Sequence, residues 1–432
     1  MDKDIKTMNV FSSRNFQLLF LEGLISEIGY ALYSFAVSFY ILEISGNNAF
    51  LQGLYLALCG AVNLIFTPIG GVMGDRFHKG KIMFVCDYLK GGVILLATVA
   101  MLTMRSPYAH LAILFAVGIL GNAIGGVFAP ASGALLPHIV EERQLQQANS
   151  YFSVMNSFQS IVGVVLAGIL YAALPVHLLF LIVGVCYVAS GVSEMFIRYA
   201  HEPKEGKLTL RAAVSDFGDG LRYIRAQKAL LAMMIAILFI NFFFTPFVSN
   251  FVPFFIKTDV AGADYLFRSL LTPELWSSVL SVLIGLSSLI AALILSTRQQ
   301  AEKVGRTVSY WLLLVAGIML AATVGYWVFV VRGVSLNAFL IMLCIGSLLV
   351  GWGVTNINVP TTTMLMRIVE KDKLSKVNSV INISSQGLIP IASVLAGLIL
   401  QGLGSTALLI FCTAGFFITA LTLLLNPRTK EI

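Results

Sequence analysis

Ile139–Gly168 reads IVEERQLQQANSYFSVMNSFQSIVGVVLAG, and Ile368–Gly397, 229 residues further on, reads IVEKDKLSKVNSVINISSQGLIPIASVLAG. Ten of the 30 aligned positions are identical: Ile, Val, Glu, Leu, Asn and Ser near the start, and the run Val-Leu-Ala-Gly at the end. In each copy a short charged segment leads into a long apolar stretch. The chain therefore reads as two related halves, each apolar enough to live in a bilayer. Duplicated helical halves with a site between them are a transporter architecture.

Of the 432 residues, 58% are hydrophobic and 11% are charged, against about 25% charged in a soluble domain. So apolar a chain cannot offer water a polar surface, and the bilayer is its solvent. The formal charge of +7 raises nucleic acid as a partner, but the placement of Lys and Arg assigns it to membrane orientation instead. Cys59, Cys86, Cys186, Cys344 and Cys412 all sit in apolar runs, with no CxxC pair and no metal-ligand spacing. They read as small buried hydrophobes. The N-terminus is polar and charged, and the first apolar run is too long for an h-region, so no cleavable signal is expected.

Apolar runs of about 20 residues, the length that spans a bilayer, fall at 16–42, 49–73, 82–104, 110–136, 147–173, 178–198, 229–255, 275–296, 308–331, 336–364, 377–400 and 405–425. Backbone groups in lipid must be satisfied within the segment, so these are helices. Twelve crossings put both termini on one side. Of the 28 Lys and Arg, only Arg105, Lys257, Arg268 and Arg332 fall in the outer segments when the termini are inside, which makes both termini cytoplasmic. The expectation is an all-α membrane protein: a six-helix bundle at 1–198, a basic cytoplasmic linker at 199–228 and a second six-helix bundle at 229–432. Within the linker, Leu208–Arg225 suits either a solvated connector or an amphipathic helix on the inner leaflet.

The turn between the second and third spans reads GVMGDRFHKGK over Gly71–Lys81. Its glycines let the helix end and approach a neighbour closely. Arg76, Lys79 and Lys81 suit a carboxylate partner or anionic headgroups. This stretch resembles the G-x-x-x-D-R-x-x-[RK]-x-[RK] signature of the major facilitator superfamily. Pro130-Ala131, Ala134-Leu135-Leu136-Pro137, Val140, Leu145 and Ala148-Asn149-Ser150 are similar to the pattern that closes helix 4 and opens helix 5 in bacterial drug and siderophore exporters. Asp87 and Lys90 resemble that group's Asp-x-x-Arg pair. Macrolide-efflux-type proteins are the nearest resemblance.

That resemblance implies two six-helix bundles around a central cavity opening alternately to each side. It makes Gly71, Asp75, Arg76, Lys79, Lys81 and Asp87 a cytoplasmic gate, with Asp75 as the latch carboxylate. It also implies a secondary-active exporter in the bacterial plasma (inner) membrane. Two positions depart from the proton-antiporter pattern: Gly121 stands where helix 4 often carries an arginine, and Gly163 is followed by Val164 rather than proline.

Ionisable groups in the hydrocarbon region are costly and usually mark function. Glu27 lies 11 residues past Phe16, about 16 Å along a helix and near the middle of a core ~30 Å thick. A carboxyl desolvated there suits a proton carrier or a site for a cation. Glu22 lies closer to the cytoplasm and points about 140° away, toward the inner interface or a neighbouring helix. Asp87 is expected to pair with Lys90 or the signature turn, and Glu194 with Arg198 four residues on. No positive residue is expected at mid-membrane, and the second half has no acid within its spans.

The second half offers amides instead: Asn241, Asn356, Asn358, Asn382 and Gln386. The first half adds Asn63, Asn122, Asn156 and Gln159. Tyr30, Tyr33, Phe243 and Trp352 are candidate aromatic cavity walls. Glu22, Glu27, Tyr30, Tyr33, Asn122, Asn156, Gln159, Asn241, Asn356 and Gln386 are the candidate substrate- and proton-binding residues. Such a cavity suits an amphiphilic, cationic small molecule. The expected partners are that substrate, a proton and membrane lipids, with no nucleic acid, metal or cofactor and with the chain as a monomer. Lipid or lysophospholipid transport on the same fold is the alternative, and a non-transporting membrane scaffold or sensor is the one from another class. His78, His110, His138, His177 and His201 are scattered at span boundaries, and no Walker loop or catalytic triad is present, so an enzyme is not expected.

Overall fold

The computed structural model describes residues 10–104, 106–141, 144–199, 218–219, 221–269, 271–296, 304–369 and 374–426. Helices dominate them, in the order α1 (Arg14–Ile44), α2 (Ala49–Arg76), α3 (Lys79–Thr103) and α4 (Pro107–Ile139). Helix α5 runs as Leu145–Phe158, a π-turn at Gln159–Gly163, and Val164–Ala173; α6 is Val176–Met195. Helix α7 begins as Lys228–Pro246 and winds through two π-turns to Val260; α8 is Pro273–Ser296 and α9 is Val304–Gly325 with a closing π-turn at Tyr326–Val331. Helix α10 is Leu336–Ile368. Helix α11 opens at Leu374–Gly387 and continues into Ile389–Leu425.

Among the described residues, eleven helical segments are long and apolar enough to cross a membrane. The last of them, Ile383–Leu425, has 43 residues, about twice what one crossing needs. Gly404 breaks it, with φ 83° and ψ 176°. Glycine tolerates that conformation without the Cβ clash other residues suffer. The stretch before Gly404 therefore completes α11 and the stretch after it is α12, giving the twelve helices of the expectation.

The duplication is visible in the helix boundaries. Helix α4 ends at Ile139 and α5 begins at Leu145; α10 ends at Ile368 and α11 begins at Leu374, the same 229-residue offset as the sequence repeat. The π-turn of α5 opens at Gln159, and the repeat-equivalent residue is Leu388, the break between the two parts of α11.

Two compact units are present: Met1–Ala36 with Val62–Leu210, and Val37–Ala61 with Arg211–Ile432. In the first, α3 and α6 cross at Gly91 and Gly184. A Cβ on Gly91 would lie 2.9 Å from Val188 Cγ2 and 3.0 Å from the Gly184 carbonyl, so only glycine allows this approach. A buried cluster of Phe16, Leu19, Met83, Ala131, Leu135 and Ala148 fills the end of this unit that carries the N-terminus.

In the second unit, Phe251, Phe255, Tyr326 and Phe339 form a box of edge-on and stacked rings. Its first stretch, Val37–Ala61, holds the end of α1 and the start of α2. Gly53 and Gly397 face each other so closely there that a Cβ on either would meet backbone. The Ala49 N–H donates to Gln401 Oε1 at 3.0 Å. Lys257 bridges Glu43 at 3.2 Å and Glu274 at 3.0 Å. The expected linker falls largely outside the described residues, as does most of Leu208–Arg225; 221–226 are helical.

Candidate functional site

Four helices of the first unit build a cavity of about 130 Å³. Helix α1 contributes Ser26, Glu27 and Tyr30; α3 contributes Asp87 and Lys90; α4 contributes Phe128 and α6 contributes Tyr187. The spacings explain the grouping, since residues three or four apart share a helix face. The Lys90 ammonium sits 4.1 Å from the centre of the Tyr187 ring, a cation–π contact.

Behind this cavity is a second cluster. Glu22 from α1, Asp87 from α3 and Glu194 from α6 bring carboxylate oxygens within 4.8 Å of one another. They are 2%, 3% and 1% exposed. Ser26 Oγ donates to Glu22 Oε1 at 3.2 Å, and Ser190 Oγ donates to the Glu22 carbonyl at 3.5 Å. Asp87 Oδ2 and both carboxylate oxygens of Glu194 have no hydrogen-bond partner. If all three were ionised they would donate nothing to one another and would repel by roughly 3 kcal/mol per pair at an effective dielectric constant of about 20, so the cluster needs a proton or a cation.

The structure thus differs from the sequence expectation at several residues. Lys90 is a positive residue in the interior of the bundle: it lies 11 residues into the 25-residue α3, about 16 Å along its axis. Asp87 follows one of its two expected pairings and not the other: it stands with Lys90 on the wall of the cavity, eight positions beyond Lys79 and away from the turn. Glu22 likewise takes the neighbouring-helix direction and not the interface, turning inward to α3 and α6, and it is more buried than Glu27. Glu194 does not pair with Arg198, because α6 ends at Met195 and the four-residue helical spacing is lost. The Arg198 N–H donates instead to Asn15 Oδ1 at 3.0 Å. The acid-free second half also needs amending: α7 extends to Val260 and α8 begins at Pro273, which brings Asp259 and Glu274 into helix ends.

The amides behave differently from the acids. Asn122, Asn241 and Asn356 donate to carbonyls of their own helices, Gly118 at 2.8 Å, Ile237 at 3.0 Å and Trp352 at 2.9 Å. Asn156 and Gln386 are exposed, Gln159 is half-buried at the π-turn, and the Asn382 side chain lies outside the described residues. Tyr33 packs on Phe180, with ring centres 5.5 Å apart, while Tyr30 is 52% exposed and lines the cavity.

At the turn, the Lys79 N–H donates to the Tyr199 hydroxyl at 2.7 Å and the Lys81 N–H to His78 Nδ1 at 3.3 Å. Lys79 is buried and Lys81 exposed. A Cβ at Gly71 would meet nothing, whereas Gly70 touches the Gly126–Val127 backbone; the close approach belongs to Gly70. The Asp75 and Arg76 side chains lie outside the described residues.

Three residues escaped the sequence reading as parts of one site: Lys90, Tyr187 and Glu194. The available signal was an ionisable residue inside an apolar helix, which Lys90 and Glu194 both are.

A family model described as Major Facilitator Superfamily matches residues 19–341. The chain belongs to that superfamily. It is a multi-pass membrane transporter rather than an enzyme. Among its relatives, the uncharacterized MFS-type transporter YvqJ of Bacillus subtilis is 24% identical over 91% of this chain and 87% of its own length. Macrolide efflux protein A of Streptococcus pyogenes is 24% identical over 49% of this chain and 51% of its own. The putative bacilysin exporter BacE of Bacillus amyloliquefaciens is 27% identical over 40% and 42%. The alignments thus span about half or less of the length of the two efflux-named relatives. Solved structures share the fold. A peptide transporter POT variant superposes with a TM-score of 0.74 at 14% identity, over 100% of this chain and 99% of its own. A D-xylose-proton symporter gives 0.72 at 13%, over 98% and 99%.

Proposed function

We propose that this transporter exports amphiphilic, cationic small molecules across the bacterial plasma membrane by alternating access, with a proton as the counter-ion. The observation that carries the reading is the cavity of the first unit, where Glu27 stands among the rings of Tyr30, Phe128 and Tyr187. A lipophilic cation fits such a wall: its charge pairs with the carboxylate and its apolar body lies on the aromatic faces. A proton and the cation compete for the same carboxylate. Binding one therefore expels the other, which is the exchange a counter-transporter needs. Lys90 beside Asp87 tunes the field at Glu27. The departures at Gly121 and Val164 fit coupling through helices α1 and α3 instead of α4 and α5. Relatives named for macrolide efflux and bacilysin export support the direction.

In this reading the halves are the bundles 1–198 and 229–432 around the linker 199–228, with both termini cytoplasmic and the chain acting as a monomer. Gly71, Asp75, Arg76, Lys79 and Lys81 form the cytoplasmic gate. Asp75→Asn is expected to slow turnover in a folded, inserted protein.

The test is a proteoliposome assay with a panel of lipophilic cations, macrolides and lysolipids, with and without a pH gradient. Gradient-dependent movement of the cations is expected. Lysolipid transport without cation transport would replace this reading with lipid transport. That second reading is favoured by an apolar cavity of about 200 Å³ in the second unit, lined by Phe244, Phe247, Met319 and Met342 among others.

A further inference from the structure

The cluster of Glu22, Asp87 and Glu194 is larger in charge than the cavity beside it requires. Three carboxylates from three helices converge within 4.8 Å. Glu194 is 1% exposed and aims two unpartnered oxygens into the cluster; Asp87 adds a third. Buried polar atoms without partners are rare in folded proteins and point to a missing ligand. Donors are few: the hydroxyls of Ser26 and Ser190 reach Glu22 and Asp87, and neither satisfies Glu194.

We propose that this cluster binds a calcium-sized divalent cation, held between α1, α3 and α6 on the buried side of the cavity. The donor set is oxygen only, which suits a hard cation and not a soft one. Ligand type narrows the choice. Three carboxylates converging within 4.8 Å in a buried setting offer an all-protein oxygen cage, which suits Ca²⁺; Mg²⁺ keeps several of its waters and is usually held by one or two carboxylates. Charge agrees. Lys90 leans on Tyr187, and Glu27 faces the open cavity. The three carboxylates with Lys90 then carry two net negative charges, which one divalent ion neutralises. Such an ion ties α1 to the α3–α6 pair, and it does so whatever cargo the cavity carries.

Detergent-purified full-length protein, stripped with chelator and titrated with CaCl₂, tests this through ⁴⁵Ca equilibrium binding and thermal unfolding. One saturable Ca²⁺ per chain and a higher unfolding temperature are expected, with Mg²⁺ weaker at equal concentration. Glu194→Gln and, as a second variant in case the first fails to fold, Glu22→Gln should each weaken binding roughly tenfold or more, since affinity follows ligand charge. Glu27→Gln, which changes the cavity and leaves the three ligands in place, should keep the site. Absence of saturable Ca²⁺ binding to folded parent protein overturns the proposal. So does unchanged binding in a folded triad variant, or loss of the ion in Glu27→Gln alone. Failure of cargo transport with Ca²⁺ binding intact would count against the exporter reading and not against this site.

Discussion

The two units share a repeated segment and matching helix ends, yet their interiors are built from different chemistry. Every fully buried charged side chain among the described residues, Glu22, Lys79, Asp87 and Glu194, belongs to the first unit. The second unit buries hydroxyls and amides. Thr323 and Thr413 share a hydrogen bond of 2.8 Å, Thr323 also returns to the Met319 carbonyl at 2.9 Å, and Asn241 and Asn356 bond within their own helices. A hydroxyl or amide can donate to the carbonyl four residues back and so places a donor within its own helix, although the buried Asn250 Oδ1 and Thr272 Oγ1 of this unit keep no partner. An ionised carboxylate has nothing to donate, so it must find a cation, a proton or a donor elsewhere. Duplication thus supplied two similar scaffolds, and one of them was left open to charge.

Packing is where the units should agree, and where the largest effects lie. Gly91→Leu in the first unit and Gly53→Leu in the second each force a side chain into backbone. Each is expected to cost about 3 kcal/mol or to prevent folding, read as lost folded yield and a lower unfolding temperature. Tolerance at one site and not the other would break the structural equivalence of the two units.

Interior chemistry should separate them by sign. In chelator, Glu194→Gln replaces one of three crowded, unpartnered carboxyl groups with an amide that can donate to the other two, and it is expected to stabilise the protein. Thr323→Val removes a satisfied hydroxyl and should destabilise by about 1 kcal/mol. Thermal unfolding of the two variants side by side decides this, and effects of the same sign would count against an unsatisfied cluster in the first unit.

The smallest effect is at the rim of the second unit. Lys257 and Glu274 are mostly covered, while Glu43 is half exposed. Glu43→Gln should cost no more than about 1 kcal/mol, with the difference shrinking in high salt. A larger, salt-independent loss would mean that the second unit also depends on interior charge.

Much of the fold was legible in the residues. The repeat fixed the offset at which α4 yields to α5 and α10 to α11. The apolar runs 377–400 and 405–425 left the break between α11 and α12 at 401–404, where Gly404 stands. Glu27 was placed from helical rise alone. What escaped notice depended on rotation and on neighbours. Asp87 looked like a partner of Lys90 or of the nearby turn, and not a neighbour of Glu22 and Glu194, because sequence distance from Lys79 does not say which face meets α1 and α6. Glu194 looked paired because the end of α6 at Met195 cannot be read from an apolar run that continues to Ile197. The amides looked like cavity groups because nothing in a sequence shows a side chain folding back on its own helix.

The most direct test of the central claim, that the first unit alone carries the exchange chemistry, is one transport measurement on two variants. Glu27→Gln and Asn241→Ala are reconstituted in parallel, and uptake of a tetraphenylphosphonium-type cation is followed with and without a pH gradient. Glu27→Gln should abolish gradient-driven uptake while the protein remains folded, and Asn241→Ala should retain both the uptake and its dependence on the gradient. Gradient-driven uptake by Glu27→Gln at the parent rate, or its loss in Asn241→Ala alone, would contradict the account.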